Sequence, residues 1–175
     1  MDLLRLRTSL SETVETALNE QIKIEGKSSS NYLAMASWCE RQGFEQSAEF
    51  FYAQSDEERD HMLRIFKYVN EVGGAALSPE IGNISYEFDG FKHVFDVMLE
   101  QEISVSRSIN QLMDTCAKEK DHTTMQFLQW FVDEQREEEK NARRILELFD
   151  IIGEEGTGRF LIDQEIGKLI PAEGE

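Results

Sequence analysis

Glu58 and His61 stand three residues apart in a segment of helical periodicity, which puts a carboxylate and an imidazole on one helical face. Alone that pair is common. It gains meaning from the apolar seams around it. Glu58 and His61 interrupt a seam that runs Phe51, Gln54, Ile65, Tyr68 and Val72. Glu25 interrupts Leu18, Ile22, Ser29, Tyr32, Ala36 and Cys39, and Glu102 interrupts Phe95, Met98, Val105, Ile109, Leu112 and Cys116. Glu138, with Gln135 three residues before it, interrupts Leu128, Phe131, Ala142, Ile145 and Phe149. Each of four segments thus carries a Glu on the face that should be dry. A buried carboxylate is costly unless it is paired or coordinates a metal. No seam position offers a Lys or Arg to neutralise these acids. A pair of divalent or trivalent cations would, and hard oxygen ligands suit iron or manganese. The seam also selects Glu102 over Glu100, because Met98, Val105 and Ile109 share the face of Glu102.

Such a constellation needs long helices packed side by side. The periodicity predicts helices over about Ser11 to Arg41, Glu45 to Val72, Phe91 to Lys118 and Thr123 to Ile152. Gly43 and Gly73-Gly74 end the first two, and a short fifth helix is expected from about Arg159 to Leu169, before Pro171. The first–second and third–fourth connections are short, so each pair is an antiparallel hairpin. The connection between the second and third helices (the B–C crossover) is long, about 17 residues, and spans up to roughly 55 Å when extended. A 28-residue helix is about 42 Å long. The crossover can therefore run the length of the bundle and leave those two helices parallel. The expected fold is all-α: one domain over residues 1–175, a four-helix bundle over about 11–152 with one long crossover, and a short fifth helix. At about 1.5 Å per residue, Glu25 and Glu58 lie roughly 27 and 22 Å from their shared turn, side by side. Glu102 and the Gln135–Glu138 pair also fall near mid-bundle.

Composition narrows the partners. Lys plus Arg is 18 against 35 Asp plus Glu, a net charge of -17. Such a surface repels nucleic acid and anionic membranes and attracts cations. Cys39 and Cys116 sit on apolar helical positions as free thiols, and no Cys-x-x-Cys pair exists. Met1 to Leu10 has no apolar run of signal-peptide length, and no stretch is long and apolar enough to span a membrane. A cytoplasmic location is expected. His93 and His122 lie near helix starts without such a constellation and are expected to be structural.

With these residues in hand, the chain resembles the non-haem bacterial ferritins over nearly its whole length. The matching stretches are Leu18-Asn19-Glu20-Gln21 with Glu25, Trp38-Cys39, Glu57-Glu58 with His61-Met62, Phe127-Leu128-Gln129-Trp130, Glu134-Gln135 and Glu137-Glu138-Glu139-Lys140. The resemblance implies an iron-storage subunit with ferroxidase activity. It would oxidise Fe(II) with dioxygen or hydrogen peroxide at a di-iron centre and deposit ferric oxo-hydroxide inside a 24-subunit homo-oligomer. It implies Glu25 and His61 as terminal ligands of one iron, Glu58 as the bridge, and Glu102 and Glu138 as ligands of the second. Gln135 is similar to the family's hydrogen-bonding residue near the oxygen site, and Tyr32 resembles its tyrosine beside the centre. Glu57, Glu134 and Glu137 resemble a third iron site. Haem-binding bacterioferritins supply a second Glu-x-x-His from the fourth helix. Gln135 and Glu138 stand in those places here, so no haem is expected. The acidic pore positions of animal ferritins fall on Met125 and Leu128, which leaves the iron route unassigned. Two other readings stay open from the residues: a di-iron oxidase without storage, and a structural bundle whose seam acids are protonated.

Overall fold

The structure, a computed structural model, describes residues 8–170. The sequence reading of Met1 to Leu10 therefore rests largely on residues outside that range, and Pro171 lies outside it too. Five helices follow in order: α1 Glu12–Gln42, α2 Glu45–Glu71, α3 Phe91–Glu119, α4 His122–Ile152 and α5 Gly158–Gly167. The expected boundaries hold to within a residue or two. The larger difference is at α5, which stops at Gly167 rather than Leu169 because the last carbonyls accept tighter i→i+3 bonds from Lys168 and Leu169. No described helix is long and apolar enough to cross a membrane.

Local chemistry sets the helix ends. Ser11 caps α1 by accepting from the Val14 amide, and Gly43 closes it in the left-handed conformation at φ 84°. There the Phe44 amide bonds back to the Cys39 carbonyl and the Gly43 amide to that of Glu40, which satisfies two carbonyls the helix leaves over. Asp121 caps α4 through the Thr124 amide at 2.9 Å.

The cap of α2 comes from elsewhere in the chain. Buried Asp163 on α5 accepts from the Gln46 amide at 3.2 Å and from the Ser47 amide and hydroxyl at 2.8 and 2.7 Å. A carboxylate at a helix N-terminus satisfies free amides and meets the positive end of the helix dipole. Asp163 thereby pins α5 to the bundle. Replacing it by Ala is expected to cost about 2 kcal/mol, read as a lower urea midpoint, because three donors lose their partner.

The long connection from α2 to α3 lies along α1. Asn19 holds its start, donating to the Ala75 carbonyl at 3.0 Å and accepting from the Leu77 amide at 2.8 Å. At mid-helix, Gly26 lets the chain close in: a Cβ there would lie 3.0 Å from Met62 Sδ and 3.1 Å from Ile81 Cδ1. Near the far end of α1, Arg41 meets the Tyr86 carbonyl and Glu87 at 3.0 and 3.1 Å, and Trp38 packs edge-on to Phe88. The crossover thus runs most of the length of α1, leaving α2 and α3 parallel.

The interior is two apolar clusters, not one. The first gathers Tyr32, Trp38, Phe50, Phe51, Phe91, Phe95 and Phe149, with Ile162 and Ile166 of α5. The second gathers Leu18, Ile22, Ile65, Val105, Ile109, Leu128 and Phe131. Between them lies a belt of buried polar residues from all four long helices: Gln21, Glu25, Glu58, His61, Glu102, Gln135 and Glu138.

Candidate metal centre

Every member of the belt except Gln21 is positioned by the same device, a polar residue on a stripe otherwise apolar. On α1 the stripe Leu18–Ile22–Tyr32 carries Glu25 inward, 1 % exposed. On α3, Met98 and Val105 bury Glu102 completely, whereas Glu100 is exposed. Glu58, His61, Gln135 and Glu138 are likewise buried, and no Lys or Arg is buried among the described residues.

Ligand atoms of Glu25, Glu58 and His61 all lie within 4.8 Å of one another. The Glu58 carboxylate is 3.7 Å from His61 Nδ1, too far for a hydrogen bond. Glu25 Oε2, Glu58 Oε2 and His61 Nδ1 are all buried without a hydrogen-bond partner. Orphaned polar atoms that converge in this way are what a cation would satisfy. The imidazole is held in place by Trp130 and Phe131, whose rings meet it edge-on at 5.3 and 5.9 Å.

Glu102 lies near Glu58 and is held differently. Tyr32 donates its hydroxyl to one carboxylate oxygen, and Gln135 Nε2 donates to the other at 3.1 Å. Tyr32 and Gln135 thus both touch Glu102, which gives each a definite place in the belt. Glu138 completes it, with Oε2 buried and without a partner.

Glu57 and Glu134 flank the belt, half-buried. With His61 they form a second group whose ligand atoms lie within 4.8 Å of one another. The expected third group of Glu57, Glu134 and Glu137 is therefore only partly assembled. Glu137 is exposed, 3.8 Å from Arg136, and does not join it. His61 is shared between both groups. Glu57 and His61 at i and i+4 carried that signal, but the i, i+3 pair drew it away.

The electrostatics are those of acids with no buried Lys or Arg beside them among the described residues, and only His61 to oppose their charge. Burial pushes Glu25 well above the usual carboxylate range, and the charge of Glu58 adds to it. Burial does the same to Glu58, reinforced by Glu102. Glu102 is raised by burial despite the opposing hydrogen bonds from Tyr32 and Gln135. Glu138 is pushed up to about 9 by burial and then by Glu57, Glu102, Glu134 and Glu137. Without a cation the belt must hold protons.

Sequence reasoning assigned no role to two buried residues that matter. Asp163 lies on a helix too short for its face to be read. Gln21 lies one turn before Glu25 and beside the seam rather than on it.

Known proteins resemble this chain in sequence and fold. The ferritin family's sequence model, a ferritin-like domain, matches residues 15–152. The chain is 41 % identical over 160 residues to a probable bacterial non-heme ferritin-like protein of Haemophilus influenzae, covering 91 % of this chain and 97 % of that one. It is 37 % identical to the bacterial non-heme ferritin of Campylobacter jejuni, over 91 % and 96 % of the two chains. Among solved structures, an open-pore ferritin of the hyperthermophilic archaeon Archaeoglobus fulgidus superposes with a TM-score of 0.88 at 34 % identity, covering 91 % of this chain and 97 % of that one. The chain belongs to the ferritin family.

Proposed function

We propose that the protein is an iron-storage ferritin subunit with ferroxidase activity, working in the cytoplasm. The observation that carries this reading is the belt: four carboxylates from four helices, buried at one level with no buried Lys or Arg among the described residues to balance them. Iron here is substrate and cargo. Glu25 and His61 would bind one Fe(II), Glu58 would bridge, and Glu102 and Glu138 would bind the second. Gln135 and Tyr32, both bonded to Glu102, would fix the angle of its carboxylate. Glu57 and Glu134, with His61 between the two groups, would take a third iron as it leaves or arrives.

Two Fe(II) held together can give one electron each. That suffices to reduce dioxygen to hydrogen peroxide, or hydrogen peroxide to water, without releasing a one-electron product. The protein supplies spacing, negative charge and a dry site. Each cation that binds displaces the protons the raised acids hold, so charge in the belt stays near balance. Carboxylates can shift between terminal and bridging modes, which suits a centre that must release ferric product to hydrolysis and ferric oxo-hydroxide. The relatives' names as ferritins support a closed homo-oligomer, for which 24 subunits is the expected number, and the net charge of -17 per chain would draw cations to it.

Aerobic addition of Fe(II) to the purified protein, followed by native mass measurement, tests this. The expected result is a ferric core that stays in solution inside an assembly of 24 chains. A dimer at every concentration, or prompt precipitation of the iron, would rule out storage.

A further inference from the structure

Gln21 is 1 % exposed and sits one turn before Glu25 on α1. Both ends of its amide are committed. Nε2 donates to Glu25 Oε1 at 2.7 Å, and the Ser108 hydroxyl of α3 donates to Gln21 Oε1. A Glu25 that is ionised, as a metal ligand must be, can only accept, so the amide N–H faces it and the carbonyl end is left to accept from the Ser108 hydroxyl.

A buried amide is an expensive way to fill space. Leu18 and Ile22 on either side of Gln21 show that apolar packing is available there, and a Leu at this place would serve packing alone. The amide does something a Leu could not: it occupies one oxygen of Glu25 and leaves the other. Glu25 Oε2 remains buried and unpartnered, and Glu25 shares its ligand group with Glu58 and His61.

We propose that Gln21, oriented by Ser108, is a positioning residue for Glu25, holding Oε1 so that Oε2 alone is presented to a divalent cation. This rests on the ferroxidase reading above and assigns the first metal position a support that neither the seam nor the Glu-x-x-His pair contains. Outer hydrogen bonds of this kind fix the orientation of a ligand, and their loss weakens metal binding by about 10- to 100-fold.

The test uses Zn2+, which binds without redox chemistry, titrated calorimetrically into the intact assembled protein. Gln21→Leu is expected to weaken the first Zn2+ site by about tenfold or more, and Ser108→Ala to weaken it less but in the same direction. In the Glu25→Ala background, both substitutions are expected to change nothing further, since they act through that carboxylate. Ser108 is only half-buried, so Ser108→Ala carries the same comparison if Gln21→Leu does not fold. Wild-type affinity in both variants overturns the proposal, as does an equal loss with and without Glu25. Failure of the wild-type protein itself to bind Zn2+ at the belt would instead overturn the ferroxidase reading, and this inference with it.

Discussion

The double variant Glu58→Ala/His61→Ala is expected to keep its helical fold and lose rapid Fe(II) oxidation, with the initial rate down roughly a hundredfold or more. Glu58 shares a ligand group with Glu25 and His61 and also feels the charges of Glu102 and Glu138, so its loss disturbs both positions at once. His61 belongs to both candidate groups, so no other imidazole can take over. The fold survives for a separate reason. Removing one of four uncompensated acids relieves repulsion, which offsets part of the cavity the substitutions leave. Stopped-flow absorbance after mixing with Fe(II) in air reads the rate, and circular dichroism reads the fold. Rapid oxidation that persists in the folded variant would sink the di-iron reading and favour a structural bundle with protonated acids.

The second large effect is on the metal-free protein, whose stability is expected to fall as pH rises. A carboxyl with a higher pKa in the folded chain than in the unfolded one binds its proton more tightly when folded. Its contribution is whole below the ordinary value of 4.5 and is lost as pH rises through the folded value, about 9 for Glu138. At pH 7 the loss from this one group is on the order of 3 kcal/mol. Glu25, Glu58 and Glu102 are raised as well and act in the same direction. Urea midpoints of the metal-free protein at pH 5.5 and 8.5 measure the slope, with Glu138→Gln as the comparison because its amide cannot ionise. The wild-type midpoint should drop between the two conditions by more than that of the variant. Added Zn2+ should restore it at the higher pH, since a ligand that binds only the folded state stabilises it. An equal drop in both proteins would show that general self-repulsion of an acidic chain, rather than the belt, sets the slope.

What could be read from the residues alone follows from which signals are local. The four long helices and the choice of Glu102 over Glu100 rest on 3.6-residue periodicity, which survives any tertiary arrangement. The crossover was legible from length: a connection of that size between long helices must be laid along something. That α1 carries it, with Asn19, Gly26 and Arg41 as successive contact points, depends on packing that no single-helix pattern encodes. Gln21 entered the sequence reading only as part of a matching stretch, because a seam drawn through apolar residues passes beside it and its bonds to Glu25 and to Ser108 of another helix leave no mark on spacing. Asp163 escaped notice for a like reason. It is an acid on a short helix, and its meaning lies in the unpaired amides of α2, more than a hundred residues away. The separation of Glu137 from Glu57 and Glu134 is likewise a matter of rotation about α4 that spacing does not resolve.

The split of the interior into two apolar clusters bears on how the molecule holds together as a mechanical unit. A bundle with one unbroken core transmits load through side chains everywhere along its length. Here the apolar contacts fall in two clusters, and between them the helices are tied by a few polar contacts, Tyr32 and Gln135 to Glu102 and Ser108 to Gln21. Cations bridging acids on different helices would act there as cross-ties, so cargo passing through the centre would also tighten the frame that handles it.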